Sequence, residues 1–162
     1  MNDSTPPVPA PLAPDELGHR LTEVFDLVGP LYRRAARKVE QAEPVEGVSA
    51  GVRAVLNLLR LHGPMTVPQM GRDQALSRQF VQRMVNDAAG HGFVEAVPNP
   101  AHRRSSLIRL TDAGRGAIEA VIAREHGLLG QVGAGDLTQA DVDACVKVLS
   151  RMLDALSDVD VD

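Results

Sequence analysis

The stretch TVPQMGRDQALSRQFVQRMVNDAAG, residues 66–90, contains two helix starts in quick succession. Thr66-Val67-Pro68-Gln69 reads as a capping box, in which the threonine hydroxyl and the glutamine amide each satisfy a backbone N–H that the first helical turn leaves over. Proline is tolerated in that first turn, and Met65 and Met70 stand where a hydrophobic staple would clamp the cap. This helix ends near Asp73, and a tight connection through Gln74–Leu76 leads to Ser77, a second N-cap residue. From Ser77 to about Gly90, Val81, Met84, Val85 and Ala88 fall on one face at helical spacing, and Gln79, Gln82, Arg83 and Asn86 fall on the opposite one. A short helix, a tight turn and a second helix with a polar outer face form the decisive unit.

On its N-terminal side, Ser49 is the predicted cap of a helix whose buried stripe is Val52, Val55, Leu56 and Leu59 and whose end is His62-Gly63. On its C-terminal side, His91-Gly92 closes the polar-faced helix. Phe93–Val97 then alternates like a strand, Pro98-Asn99-Pro100 turns, and Leu107–Leu110 returns. Residues 98–106 are the tip of this hairpin. The fold class is mainly α with one small β-hairpin, a winged helix-turn-helix over residues 49–111.

The flanks are helical. Residues 1–14 carry Pro6, Pro7, Pro9, Pro11 and Pro14 and are expected to be a disordered tail. In residues 15–48, Leu17, Leu21, Val24, Phe25, Val28, Leu31, Ala35 and Val39 recur three or four apart, and Gly29-Pro30 predicts a kink or a break. In residues 112–157, Thr111 caps a helix running to about Gln131 with Ile118, Val121, Ile122, Leu128 and Leu129 on its stripe. Thr138 caps a last helix with Val142, Cys145, Val146, Leu149, Met152, Leu153 and Leu156 on one side. These stripes exceed what a winged domain alone would bury, which points to dimerisation.

The net charge of −4 conceals an uneven distribution. Residues 49–111 hold Arg53, Arg60, Arg72, Arg78, Arg83, Arg103, Arg104 and Arg109 against Asp73, Asp87 and Glu95, a surplus of five positive charges, so the rest of the chain is acidic. A basic centre of this kind suits nucleic acid, and a solvated arginine-rich face is the plainer alternative. One cysteine cannot form an internal disulfide, no apolar run approaches a membrane span, and no signal peptide is evident, so a cytoplasmic protein is expected. No nucleophile triad, phosphate loop or metal motif is present, and the five histidines are dispersed; neither an enzyme nor a metal or cofactor site is expected.

A helix inserted in the major groove needs long polar side chains near its N-terminus, where arginine pairs with guanine and glutamine or asparagine with adenine. Arg78, Gln79, Gln82, Arg83 and Asn86 supply them, and the N-cap at Ser77 offers backbone N–H groups to a phosphate. Arg103 and Arg104 at the hairpin tip suit the neighbouring minor groove. Phe80 is expected to pack on the preceding helix, with contact to a thymine methyl as the alternative.

The segments Leu76–Val85, Gly92-Phe93-Val94 and Arg103–Gly114, the last closing on Leu107-Ile108-Arg109-Leu110-Thr111-Asp112-Ala113-Gly114, resemble the MarR family of bacterial transcription regulators across residues 15–157. The resemblance implies an obligate homodimer with interlocked terminal helices and two winged domains on a pseudo-palindromic site in double-stranded DNA. It further implies a repressor released by a small aromatic or anionic ligand. The ligand would sit where the first helix meets the winged domain. Tyr32, Arg33, Arg37 and Arg60 are candidates for its contacts, with a plain surface role as the alternative for each. The family's wing carries Asp-x-Arg, whereas this chain has His102-Arg103-Arg104. That change implies a looser wing, or one that becomes more basic as His102 protonates. A protein-binding winged module, a ligand-independent regulator and a redox regulator acting through Cys145 are the competing readings.

Overall fold

The computed structural model describes residues 10–42, 45–132 and 135–157. Residues 1–9 of the proline-rich stretch therefore lie outside the described residues, and residues 10–13 are exposed and without regular structure. Contacts divide the chain after Lys38 into two units.

Helix α1 (Pro14–Ala42) supplies the first unit and ends in the second. Pro14 opens the helix rather than ending the tail, since its missing N–H costs nothing in the first turn. The break predicted at Gly29-Pro30 does not occur: Pro30 lies inside one helix of 29 residues. A proline removes one ladder hydrogen bond, and a helix this long keeps intact turns on both sides of the loss. None of its described residues is buried, and Leu17, Phe25, Leu27, Val28, Leu31 and Tyr32 are exposed.

In the second unit the elements follow as α2 (Ala50–His62), α3 (Val67–Gln74), α4 (Arg78–Gly90), β1 (Val94–Val97), β2 (Leu107–Leu110), α5 (Asp112–Leu129) and α6 (Gln139–Ala155). Ser49, Thr66, Ser77, Thr111 and Thr138 cap α2, α3, α4, α5 and α6, each hydroxyl accepting from a first-turn N–H. Strands β1 and β2 pair antiparallel with Val94 opposite Leu110 and Val97 opposite Leu107. Met65 adds a bridge on the other side of β2, exchanging both backbone hydrogen bonds with Ile108 at 2.8 and 3.1 Å. The segment before α3 is thereby tied to the hairpin.

The core joins Val52, Val55, Leu56 and Leu59 of α2 to Met70 of α3, Val81, Val85 and Ala88 of α4, Val94, Ile108 and Leu110 of the strands, and Ala117 and Ile118 of α5. The sequence stripe of α2 is thus its buried face. In α5 the prediction is partly displaced: Ile118 and Val121 are buried, while Leu129 is exposed. Helix α6 buries none of its residues, and Cys145, expected on a covered face, is exposed in the single chain.

The hairpin is set on the core by a small polar junction. The Thr111 hydroxyl donates to the Gly92 carbonyl at 2.7 Å and accepts from Gly114 N, while Thr111 N donates to the Phe93 carbonyl. A Cβ at Gly114 would overlap the Phe93 carbonyl oxygen. The residue-114 glycine therefore lets the start of α5 press against the backbone where α4 hands over to β1.

Candidate nucleic-acid interface

Helix α4 presents an exposed polar surface because its core contacts occupy only one side. Arg78, Gln79, Gln82, Arg83 and Asn86 are all exposed, and Val81, Val85 and Ala88 are buried opposite them. The Gln82 amide donates to Asn86 Oδ1 at 2.9 Å, one turn apart, so two amides stand in a fixed relation along this surface. Ser77 Oγ accepts from Phe80 N at 3.3 Å, and the Ser77 carbonyl accepts from Val81 N. The N–H groups of Arg78 and Gln79 belong to the first turn, which has no intrahelical partners.

The turn that aims α4 relative to α3 is tight. Ala75 adopts a left-handed conformation with φ 50°, and a Cβ at Gly71 would meet the Leu76 carbonyl oxygen at 2.9 Å. Glycine at 71 therefore lets the connection fold back closely over α3. The sequence predicts the connection but not this approach.

At the hairpin tip Arg103 and Arg104 are exposed. Ala101 N donates to Asn99 Oδ1 at 3.0 Å, Ser105 N donates to the His102 carbonyl at 3.1 Å, and the Asn99 amide lies 3.4 Å from Ser105 Oγ. These short-range bonds brace the tip where the family resemblance leads one to expect an aspartate to do so. His102 contributes its backbone carbonyl, and its side chain is exposed.

The arginines of the basic centre divide by role. Arg53 of α2 forms two hydrogen bonds, at 2.5 and 2.7 Å, to the half-buried Glu125 carboxylate of α5. Arg109 pairs with Glu95 across the hairpin at 2.8 Å, and Arg60 donates to Asn57. Among the described residues no acidic partner neutralises Arg78, Arg83, Arg103 or Arg104. Uncompensated charge is thus left on α4 and the hairpin tip, and on Arg60 and Arg72, whereas the charges of Arg53 and Arg109 are paired with acids. A count from sequence cannot make this distinction, because partners such as Glu125 are remote in the chain.

Phe80 is only partly covered. The residue is 43% exposed, and the Arg83 guanidinium carbon lies 5.3 Å from the ring centre. The ring sits at the margin of the polar face, one helical step from the buried Val81.

Of the candidate effector contacts, Tyr32, Arg33 and Arg37 are exposed on α1, and Arg60 is exposed on α2. A cavity of about 520 Å³ opens at the base of the hairpin, lined among others by Leu59, Pro64, Arg109, Thr111 and Arg115, and none of those four candidates lines it. No helix among the described residues is long and apolar enough to cross a membrane.

No family model matches the chain. The crystal structure of a MarR family transcription regulator is 30% identical to it, covers 88% of this chain and 96% of its own, and superposes with a TM-score of 0.69. The chain belongs to the MarR family. An uncharacterised protein of Mycobacterium tuberculosis is 33% identical to this MarR protein, with 88% and 95% of the two chains covered. The transcriptional repressor NicR of Pseudomonas putida is 26% identical over 96% and 97%. Bordetella bronchiseptica BpsR, a protein whose DNA binding is regulated by 6-hydroxynicotinic acid, is 25% identical over 80% and 98%, with a TM-score of 0.63.

Proposed function

We propose that this MarR protein binds a pseudo-palindromic site in double-stranded DNA as a homodimer and represses transcription until a small ligand releases it. In this reading α4 enters the major groove, with Arg78, Gln79, Gln82, Arg83 and Asn86 toward base edges and Ser77 at a phosphate. Arg103 and Arg104 of the wing enter the flanking minor groove. The observation that carries it is the division of the arginines: those on α4 and the tip lack acidic partners, while Arg53 and Arg109 have them. Charge held out in solvent beside a row of exposed amides suits phosphates and base edges. A protein-binding module would present an apolar or acidic surface there.

The exposed apolar residues of α1 and α6, which a second copy would cover, support the dimer. Release by a small aromatic or anionic ligand is suggested by the response of BpsR. Tyr32, Arg33 and Arg37 of α1, and separately Arg60 of α2, are candidate contacts for a ligand, and Arg37→Ala and Arg60→Ala are the variants that test them in a ligand-release assay. The test of DNA binding is a titration of duplex DNA at several salt concentrations. Neutralising several phosphates requires the logarithm of the affinity to fall steeply and linearly with the logarithm of salt. Weak, salt-independent binding would remove the DNA reading.

A further inference from the structure

Between Leu61 and Leu129 the one large apolar residue left exposed is Phe80 of α4, at 43%. An exposed phenyl group costs solvation that burial elsewhere in this unit avoids. The ring is not part of the buried core: the α4 core face is Val81, Val85 and Ala88. The Arg83 guanidinium, one turn further along, lies over the ring at 5.3 Å. A guanidinium resting on an aromatic face is held by the ring quadrupole and loses part of its rotational freedom. No carboxylate competes for Arg83 among the described residues, so the ring is the group that orients it.

Resting on the DNA-binding reading above, we propose that Phe80 is a specificity-determining residue of α4. It steadies the Arg83 guanidinium for a guanine and offers its own ring to the C5-methyl of an adjacent thymine. The chemistry fits both halves. Bidentate pairing with guanine O6 and N7 needs the planar fork held at one orientation, and the thymine methyl is the only apolar group the major groove displays. A phenyl ring beside an arginine therefore reads two neighbouring base pairs with complementary chemistry. Gln82 and Asn86, bonded to each other, read elsewhere along the same surface.

The test begins with duplexes selected from a random pool by the wild-type protein. Affinities are then measured for wild type, Phe80→Ala, Phe80→Leu, Arg83→Ala and the double Ala variant, on the selected duplex and on an unrelated one. Phe80→Ala is expected to lose roughly tenfold on the selected duplex. Its affinity for the unrelated duplex, its salt slope and its melting temperature are expected to stay unchanged. Phe80→Leu, which keeps an apolar group but no ring face, should retain the methyl contact and lose the coupling to Arg83. The double variant should lose less than the two single losses combined. Replacing selected thymines by uracil removes only the methyl group, and at one position per half-site it should weaken wild type and leave Phe80→Ala indifferent. If Phe80→Ala keeps the wild-type preference, if uracil weakens both alike, or if the variant unfolds, Phe80 is not a reader and the proposal falls. If wild type shows no salt-dependent duplex binding at all, the DNA reading itself has failed, which is a separate result.

Discussion

The winged region and the terminal helices treat apolar residues in opposite ways. All of the buried hydrophobic residues of the described chain lie between Val52 and Val121, and α2 to α5 share them within one polypeptide. Helices α1 and α6 carry apolar stripes of equal regularity and bury none of their described residues; Phe25 is 62% and Leu153 73% exposed. Periodicity is the same in both, and only the presence of a partner surface in the same chain differs. A regular apolar stripe therefore states that a face will be covered, not by what. The polar surface shows a related division: Arg53 and Arg109 find acids, and the arginines of α4 and the hairpin tip do not.

The sharpest way to break this contrast is to attack the junction on which the winged core depends. Gly114→Ala forces a methyl group onto the Phe93 carbonyl. It should cost about 3 kcal/mol or more, in the upper range of overpacking changes, read as a large drop in melting temperature. A near-neutral effect would show that α5 docks more loosely than the junction indicates.

Leu153→Asp tests the other side of the comparison. It should shift the protein from dimer toward monomer in sedimentation at micromolar concentration, with helical content largely retained, because no core residue of the winged region is touched. Loss of the winged fold along with the dimer would mean that the two regions are not separable in this way.

Two arginines of the hairpin refine the charge argument. Arg104→Ala should weaken duplex binding and lower the salt slope by about one, and change preference for A·T-rich flanks. Arg109→Ala, whose charge is already paired with Glu95, should change the slope less. Equal effects would erase the division between paired and unpaired arginines.

The smallest effect is expected at the start of α6. Hydrogen bonds from the Thr138 hydroxyl and backbone N–H hold the Asp141 carboxyl below the ordinary carboxylate value. A depressed folded value means that the box contributes stability above the ordinary range and loses it as pH falls through the lowered one. Amide exchange at the first turn of α6 should therefore be slower in wild type than in Asp141→Asn at pH 7, and the difference should vanish in acid.

Local signals were read well from the chain. The five caps at Ser49, Thr66, Ser77, Thr111 and Thr138 stand where the sequence puts them, because a cap joins groups two or three residues apart. The buried stripe of α2 and the exposed amides of α4 were legible for the same reason, since helical periodicity is a property of one segment. Of the two outcomes expected at Pro30, a kink or a break, the break does not occur, because a single lost hydrogen bond does not end a long helix.

Tertiary structure alone decided what depends on residues remote in the chain. It chose which arginines are neutralised, since Arg53 meets Glu125 only once α2 and α5 pack. It gave Gly114 its reason, in the approach of α5 to Phe93. It left Phe80 partly exposed beneath Arg83, where the sequence offers packing on the preceding helix or contact with a thymine methyl. Short-range hydrogen bonding and side-chain period determine elements; close packing between elements determines which of their groups remain free to meet another molecule.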